Sequence, residues 1–466
     1  MRLIEEEIYL FTKKKLSKKI IPFAVISSLI IAGFVGTNQE TAQAKQVEKS
    51  KVKNVIFLVG DGMGESYINA HRSMKDNKDT KVMERTTFDK YKVGSQMTYP
   101  DDDGQNITDS ASAATAMSAG IKTYNAAIAV DNDKSEVKTV LETAKEKGKS
   151  TGLVATSEIT HATPASFGAH DDNRKNMNAI ADDYFDEMIN GKHKIDVLLG
   201  GGTSNFIRPD RNLTEEFKKD GYSYVTNKQD MMKDKNDQLL GLFAPGGMPK
   251  MIDRTNEMPS LEEMTNTAIK KLNQNKNGFF LMVEGSQIDW AGHDNDVVAS
   301  MSEMEDFERA YKAAIDFAKK DKNTLVVATA DHSTGGFSIG SNGVYNWNPE
   351  PIKAAKRTPD FMSAEILNGA NVEETLNKYI DLELTTEEIK SVKDAVSTKK
   401  VDDAIEAIFN NRTQTGWTTG GHTGEDVPVY AFGPEKERFA GLIDNTDNAK
   451  IIFELLEGKK RSIKDK

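Results

Sequence analysis

Short apolar runs alternate with amphipathic helical patterns along most of this 466-residue chain. The runs are about as long as single strands and are apolar at consecutive positions, which is typical of strands buried on both faces. They cover residues 54–59, 150–156, 196–199, 279–283, 323–328 and 427–432. Helical patterns lie between them, among them residues 137–147, 261–272 and 302–319. This alternation predicts an α/β fold in which helices flank both faces of a central, mainly parallel sheet.

The first 44 residues have the order of a secretory signal. Five lysines between residues 13 and 19 precede an apolar segment over residues 20–36, and Ala42-Gln43-Ala44 follows. This pattern predicts a signal peptide over residues 1–44, cleaved after about Ala44. An uncleaved anchor is the alternative, because the apolar segment could marginally span a bilayer. We expect export to the outside or to the cell surface, with no stable membrane span after cleavage.

Charge and cysteine content exclude several classes of partner and site. The formal net charge is -11, and loss of residues 1–44, with six basic and four acidic side chains, would leave -13. An acidic chain argues against nucleic-acid-specific binding and against an anionic membrane partner. The chain has no cysteine, so it forms no disulfide and offers no thiolate to a metal. A metal site would therefore consist of histidines and carboxylates.

Residues 45–466 are predicted to form a single catalytic α/β domain. Between about residues 341 and 415 the strand pattern gives way to lysine- and glutamate-rich helical segments, including 386–396 and 401–410. We interpret this segment as a helical insertion on the rim of the sheet. Residues 205–255 fit neither period and are predicted to be an irregular cap.

Potential metal ligands follow several of the predicted strands directly. In open α/β sheets, side chains from separate strands converge at the carboxyl ends of those strands. Asp289 and His293 are also four residues apart, so one helical turn would place them on one face. Polar loops and satisfied buried histidines are the alternative at each position. His71 and His193 are predicted to be ordinary surface residues, and His170 is intermediate. The ligand-type residues at strand ends are Asp61, His161, Thr163, Glu284, Asp289, His293, Asp331, His332 and, just before the last run, His422.

The donor types indicate more than one metal ion. Imidazole with carboxylate, without thiolate, suits Zn²⁺, Mn²⁺ or Fe. Glu284 and Thr163 are hard oxygen donors that suit octahedral Mg²⁺ better. There are too many donors for one tetrahedral ion, so the sequence predicts two imidazole-bearing sites and an oxygen-rich one.

Ser110 is the candidate nucleophile. It precedes an alanine-rich run, which predicts a helix, and would lie at the helix N-terminus, where free N–H groups favour an anion. A serine there can attack phosphorus if a metal lowers its pKa. The alternative is an ordinary N-cap. Arg174 follows the second site strand and could bind phosphate in a bidentate manner.

The motifs together resemble those of alkaline phosphatases. They occur in family order between about residues 53 and 435. Six motifs carry the resemblance: Val-Gly-Asp61-Gly-Met-Gly, Thr108-Asp109-Ser110-Ala-Ser-Ala-Ala, His161-Ala-Thr163-Pro-Ala, Met-Val-Glu284-Gly-Ser-Gln-Ile-Asp289-Trp-Ala-Gly-His293, Thr-Ala-Asp331-His332 and Gly-Gly-His422-Thr-Gly. The resemblance implies a phosphomonoesterase that acts at alkaline pH through a phosphoserine intermediate, with two Zn²⁺ and one Mg²⁺.

The resemblance also implies a role for each residue. Ser110 would be the nucleophile and Arg174 the phosphate clamp. Asp289, His293 and His422 would hold one zinc ion. The second zinc ion would be held by Asp61, Asp331 and His332, and Mg²⁺ by Asp61, Thr163 and Glu284. Dimers are common in the family, so the resemblance is compatible with a homodimer.

Two positions depart from one well-known bacterial version of the motifs. His161 replaces an aspartate near Mg²⁺, so we expect a different dependence on that ion. Trp290 replaces a lysine near the bound phosphate, so we expect weaker phosphate retention. The alternative functions are those of a phosphodiesterase, a sulfatase and a non-catalytic phosphate- or zinc-binding surface protein. The sulfatase is disfavoured because Ser110 is followed by Ala-Ser-Ala-Ala and the chain lacks cysteine.

Overall fold

The structure is a computed structural model that describes residues 52–458. The predicted signal peptide therefore lies outside the described residues. A ten-stranded sheet is the centre of the fold. Its strands are Asn54–Gly60, Lys92–Met97, Ser150–Glu158, Val197–Gly201, Ser223–Val225, Leu239–Leu242, Phe279–Gly285, Thr324–Thr329, Val427–Phe432 and Gly441–Asp444.

The sheet is mainly parallel, as the sequence predicts. Across it, the strands follow one another in the order of those that begin at Gly441, Lys92, Val427, Thr324, Asn54, Phe279, Ser150, Val197, Leu239 and Ser223. Val427–Phe432 pairs antiparallel with both of its neighbours, and the other pairs in this sheet are parallel. The amino end of this one strand therefore lies at the edge where its neighbours have their carboxyl ends.

Alternate side chains of the central strands are buried on opposite faces. Ile56 and Leu58 pack in one apolar cluster with helices Leu261–Leu272 and Val297–Asp321. Val55 and Phe57 pack in a second cluster on the other face, which includes residues of helices Ser110–Ala119, Val140–Glu146 and Ala162–Gly168. This two-sided burial explains why the strands are apolar at consecutive positions.

The remaining helices and three short strand pairs lie outside the central sheet. The other helices are Glu65–Lys75, Thr87–Tyr91, Met177–Asp186, Thr203–Phe206, Leu213–Lys219, Lys228–Lys233, Gln287–His293, Glu350–Lys353, Pro359–Leu367, Val372–Tyr379, Thr386–Ala395, Val401–Thr413 and Thr446–Glu457. Short strand pairs are Met188–Ile189 with Lys192–His193, Ser333–Thr334 with His422–Thr423, and Ser338–Ile339 with Thr415–Gly416. In the part of the chain that is described, no helix has the length and apolar character needed to cross a membrane.

Local signals predicted some helix ends well. Helix Leu261–Leu272 begins and ends at the predicted residues. Ser260 accepts a hydrogen bond from the backbone N–H of Glu263 at 3.1 Å, and the Glu263 side chain accepts one from Ser260 N at 2.9 Å. This reciprocal capping box holds the first turn.

One fold prediction was wrong. Residues 205–255 do not form an irregular cap, because two short strands within them, Ser223–Val225 and Leu239–Leu242, extend the central sheet. Helices Leu213–Lys219 and Lys228–Lys233 lie in the same segment. Such short strands carry too few residues for a period to be recognised.

Candidate functional site

The ligand-type residues predicted from sequence meet at one edge of the sheet. Asp61, Glu284 and Asp331 lie at or just beyond the carboxyl ends of three neighbouring parallel strands. His161 follows a fourth parallel strand. His422 precedes Val427–Phe432, and the antiparallel direction of that strand brings it to the same edge. We call the three groups of ligands described below the strand-end centre.

Asp289, His293 and His422 form the first group, in which one ligand-type atom from each lies within 4.8 Å of the others. His293 Nε2 lies 3.3 Å from Asp289 Oδ2 and 3.2 Å from His422 Nε2. The Nδ1 atoms of His293 and His422 donate to the carbonyl oxygens of Gly420 at 2.7 Å and Thr108 at 2.9 Å. A neutral ring that donates through Nδ1 keeps its lone pair on Nε2, which is the state that binds a metal.

Asp61, Asp331 and His332 form the second group, and all three are fully buried. His332 Nε2 lies 3.5 Å from Asp61 Oδ1 and 3.2 Å from Asp331 Oδ2. Asp331 Oδ1 accepts hydrogen bonds from Gly62 N and His332 N, each at 3.0 Å. These bonds fix the carboxylate so that Oδ2 faces the imidazole.

Asp61 also belongs to the third group, with His161 and Glu284. Both Asp61 oxygens, Glu284 Oε1, Thr163 Oγ1 and His161 Nδ1 are buried with no hydrogen-bond partner among residues 52–458. Buried polar atoms are normally satisfied, because an unpaired one costs about 1–3 kcal/mol. Several unpartnered oxygens on three neighbouring residues, Asp61, Thr163 and Glu284, fit a site that binds cations.

The charges of the strand-end centre support the same conclusion. Burial, together with the nearby carboxylates, raises the pKa of Asp61 well above its ordinary value. Burial raises the pKa of Glu284 to about 7 and that of Asp331 to about 6. Bound cations would oppose these shifts and keep the carboxylates ionised. The donor set therefore fits divalent metal ions.

The pKa of Asp289 is shifted in the opposite direction. Burial opposes its ionisation, but the hydrogen bond from His293 and the nearby imidazoles of His332 and His422 hold its pKa well below the ordinary range. The same contact with Asp289 raises the pKa of His293 to about 9. A metal at this group would therefore have to displace a proton from His293.

Ser110 lies where a nucleophile would have to be. It is the first residue of helix Ser110–Ala119, and its Oγ is 3.2 Å from His332 Nε2. The N-cap is Asp109, whose carboxylate accepts from Ser112 N at 3.0 Å. The Ser110 hydroxyl is therefore not used for capping and faces the second group of ligands.

Arg174 lies beside the nucleophile helix and the third group. Its Nη1 atom donates to Asp109 Oδ2 at 3.0 Å, and its Nη2 atom donates to His161 Nε2 at 3.2 Å. Burial, with the charge of Arg174 beside it, lowers the pKa of His161 to about 3, so the ring is neutral and can accept. These two contacts hold the guanidinium at the site.

Trp290 lies on helix Gln287–His293, between two zinc-type ligands. Its ring meets the His161 ring edge-on, with centroids 5.6 Å apart. Lys250 Nζ lies 5.9 Å from the ring centroid. A Cβ atom at Gly247 would come within 2.5 Å of the indole, so only glycine fits there without a shift. Trp290 thus forms a packed wall next to His161.

Two histidines predicted to lie on the surface are buried instead. His71 is 2% exposed, and its Nε2 lies 2.7 Å from Glu308 Oε2. His193 is 4% exposed, with Nε2 3.0 Å from Asp220 Oδ2. The prediction was wrong because these carboxylates lie far along the chain. His170 is held within a third such group by Glu142 and Glu187.

Two further residues at the site, Asp109 and Thr334, were not predicted from the sequence to have a role there. Asp109 caps the nucleophile helix and binds Arg174, and an aspartate before an alanine-rich run is a recognisable N-cap signal. Thr334 contacts Asp289 and His332. Nothing in its local sequence marks it, because threonine hydroxyls are common and only the fold shows which atoms they reach.

Comparisons with known proteins agree with this geometry. The alkaline phosphatase family model matches residues 52–457. Alkaline phosphatase 3 of Bacillus subtilis (strain 168) is 69% identical over 453 residues, which cover 95% of this chain and 98% of that protein. The crystal structure of a cold-active alkaline phosphatase from the psychrophile Shewanella sp. superposes with a TM-score of 0.82 and 38% identity, covering 86% and 99% of the two chains.

A third relative concerns the metal site. The TAB5 alkaline phosphatase mutant in which a histidine is replaced by aspartate, solved with Mg bound in the M3 site, has a TM-score of 0.66. It is 32% identical and covers 89% of this chain and 100% of its own. Members of the family are metal-dependent phosphomonoesterases, and the fold, the ligand groups and the matches over nearly the whole described chain agree. This chain therefore belongs to the alkaline phosphatase family.

Proposed function

We propose that this phosphomonoesterase forms a phosphoserine intermediate on Ser110 and uses two zinc ions and one magnesium ion. One observation carries the proposal: the Ser110 hydroxyl lies 3.2 Å from His332 Nε2, next to buried carboxylate oxygens that have no hydrogen-bond partner within residues 52–458. The histidines and carboxylates near the Ser110 hydroxyl are also of the types that bind zinc and magnesium.

Three sets of residues would hold the ions. Asp289, His293 and His422 supply one oxygen and two imidazole donors, and Asp61, Asp331 and His332 supply two carboxylates and one imidazole. Both sets suit zinc. Asp61, Thr163 and Glu284 supply oxygen donors that suit magnesium, with His161 next to them.

The reaction would proceed in two displacements at phosphorus. Ser110 Oγ loses its proton and forms a bond to phosphorus, while the ester P–O bond breaks and the alcohol leaves with a proton. Water then attacks the phosphoserine, which releases inorganic phosphate and returns a proton to Ser110. Bound zinc would supply Lewis acidity, which lowers the pKa of the serine and water hydroxyls and stabilises the leaving oxygen.

The protein itself would position the phosphoryl group. The guanidinium of Arg174 can donate two parallel hydrogen bonds to phosphate oxygens. Ser110 is the first residue of helix Ser110–Ala119, and the N-terminus of a helix favours an anion such as phosphate. Trp290 offers no cation, so phosphate should be held less tightly and leave faster. Because the proposed contacts bind the phosphate and little of the leaving group, we expect the enzyme to hydrolyse a broad range of phosphate monoesters.

The proposal is tested by replacing Ser110→Ala. We expect turnover of an aryl phosphate to fall by about 10³-fold or more, with zinc content unchanged. Ser118→Ala is the matched control, because Ser118 lies at the other end of the same helix and donates to Ser166 O instead. Full activity of Ser110→Ala, or failure to trap labelled phosphate on Ser110 at low pH, would contradict the phosphoserine route.

We also propose that the chain is exported after removal of residues 1–44. Support comes from the order of that segment, in which a basic region precedes an apolar one and then Ala42-Gln43-Ala44. N-terminal sequencing of the protein recovered outside the cell should begin at about Lys45. Recovery with residues 1–44 intact would favour the anchor instead.

A further inference from the structure

Thr334 lies between two of the ligand groups in the strand-end centre. Its hydroxyl donates to Asp289 Oδ1, which belongs to the first group. The same oxygen lies 3.3 Å from His332 Nδ1, which belongs to the second. All three side chains are at least 96% buried, so bulk water does not compete for these contacts.

The hydrogen-bond roles at this hydroxyl follow from donor and acceptor chemistry. A threonine hydroxyl has one hydrogen to donate and two lone pairs. An ionised Asp289 accepts only, so the hydroxyl hydrogen must point to Asp289. The contact with His332 is then satisfied only if Nδ1 of His332 carries the hydrogen. His332 therefore keeps its lone pair on Nε2.

This lone pair is the one that faces the reaction. Nε2 of His332 is the atom that approaches Asp61 Oδ1, Asp331 Oδ2 and Ser110 Oγ. The hydrogen bond from Thr334 to Asp289 Oδ1 fixes the orientation of this carboxylate, because its other oxygen, Oδ2, then faces His293. One hydroxyl thus sets the tautomer of a ligand in one group and the orientation of a ligand in the other.

The fold leaves Thr334 little freedom to turn away. Its backbone pairs with His422 and its N–H donates to Gly62 O at 3.2 Å. Its carbonyl accepts from Tyr67 Oη at 2.8 Å. A Cβ at Gly62, which has a φ of +72°, would lie 2.7 Å from Thr334 Oγ1. The backbone is therefore packed directly against the hydroxyl.

We propose that Thr334 is a positioning residue that couples the two proposed zinc sites. Its hydroxyl holds His332 in the metal-binding tautomer and aims Asp289 at the neighbouring ion. This inference rests on the proposed function, because it requires zinc at both groups. Residues that orient metal ligands typically change metal affinity by about 10- to 100-fold when they are replaced.

The test compares Thr334→Val, which keeps the shape and removes the hydroxyl, with Thr334→Ser, which keeps the hydroxyl. Zinc is titrated against a competing chelator, with Mg²⁺ in excess, and ¹¹³Cd NMR resolves the two sites. We expect affinity at both sites to fall about 10-fold or more in Thr334→Val and to change less than about threefold in Thr334→Ser. In the metal-free proteins, ¹⁵N spectra of the histidines should show the Nδ1–H tautomer of His332 in the wild type and in Thr334→Ser, and its loss in Thr334→Val alone.

The matched control is Thr423→Val. Thr423 lies on the same short strand pair, and its hydroxyl donates to Glu425, away from Asp289 and His332. If Thr334→Val binds zinc as tightly as the wild type at either site, or keeps the His332 tautomer, the coupling is wrong. If the wild type itself does not bind zinc at both groups, it is the proposed function that fails.

Discussion

Groups of histidines and carboxylates lie close together both in the strand-end centre and elsewhere in the described chain. The two sets of groups differ in how the negative charge of the carboxylates is balanced. In the strand-end centre, both oxygens of Asp61 and Oδ2 of Asp331 have no hydrogen-bond partner within residues 52–458. The pKa of each is raised by burial. These carboxylates need a cation that the described chain does not supply.

The group formed by His71, Glu305 and Glu308 has ligand-type atoms just as close together. Here, however, Lys75 Nζ lies 2.9 Å from Glu305 Oε2 and 2.8 Å from Glu308 Oε2. His71 and Lys75 hold the pKa of Glu308 well below its ordinary range, although burial opposes this. The protein provides its own cation.

The group formed by Glu142, His170 and Glu187 is balanced in the same way as the group around His71. The ammonium of Lys194, which is 1% exposed, pairs with Glu187 and lies 3.8 Å from Glu142. Distances between donors therefore do not by themselves distinguish a metal site from a structural ion network. What distinguishes them is whether a lysine already occupies the position of the cation.

The largest expected difference between the two kinds of group concerns activity. Asp331→Asn keeps the oxygen that accepts from Gly62 and His332 but removes the charge. We expect kcat/KM to fall by on the order of 10³-fold and zinc content to drop. Glu308→Gln is the matched control and should lower thermal stability while leaving zinc content and kcat/KM within about twofold. If Asp331→Asn and Glu308→Gln lowered zinc content and kcat/KM equally, the two groups would not differ as metal sites.

The second test removes a resident cation. Lys194→Met leaves Glu142 and the partly exposed Glu187 without their ammonium partner, and we expect the free energy of unfolding to fall by about 2 kcal/mol in chemical denaturation. Excess zinc should recover part of this loss, since the group would then lack a cation. Lys192→Met, at an exposed neighbour, should do neither. Zinc that stabilises variant and wild type equally would count against the comparison.

A smaller effect is expected at the third group of the strand-end centre. His161→Asp adds a carboxylate, which magnesium prefers to imidazole. We expect added Mg²⁺ to raise wild-type activity and the variant to reach half-maximal activation at about tenfold lower Mg²⁺. Isothermal titration with Mg²⁺ gives the affinity independently of turnover. The same Mg²⁺ response in both proteins would show that His161 does not tune this site.

The last test concerns Glu406, a glutamate surrounded by other carboxylates. Glu406 is 8% exposed, and burial with the nearby Asp296, Asp360, Asp294 and Asp402 raises its pKa to about 10. A raised pKa means that the folded state binds the proton more tightly, so stability is lost as pH rises from about 4.5 towards 10. Between pH 5 and pH 9 the wild type should therefore lose more free energy of unfolding than Glu406→Gln, which has no carboxyl group to ionise at this position. Melting temperatures that shift equally at both pH values would exclude this origin.

The sequence predicted those features that depend on local pattern. Buried strands such as Phe279–Gly285 are apolar over most of their length, and the ligand types follow them directly, so both the sheet and its reactive edge could be predicted. The roles of Ser110, Arg174 and the ligands came from family motifs, and they remain predictions that the variants above test.

Features that depend on distant partners could not be predicted in this way. The burial of His71 depends on Glu308, which lies 237 residues away in sequence. The short strands Ser223–Val225 and Leu239–Leu242 are recognisable only because a neighbouring strand pairs with them. The role of Thr334 depends on its distance to Asp289, across 45 residues of chain.

The antiparallel strand Val427–Phe432 has a consequence for the order in which the enzyme becomes competent. It lies between Thr324–Thr329 and Lys92–Met97, and it carries His422 into contact with Asp289 and His293. During synthesis from the N-terminus, nearly the whole sheet precedes this strand, yet the first ligand group lacks one of its imidazoles until the strand inserts. Closing contacts over such long sequence separations is slow. The first ligand group is therefore complete only after Val427–Phe432 has inserted, and among the strands of the central sheet only Gly441–Asp444 follows it in sequence.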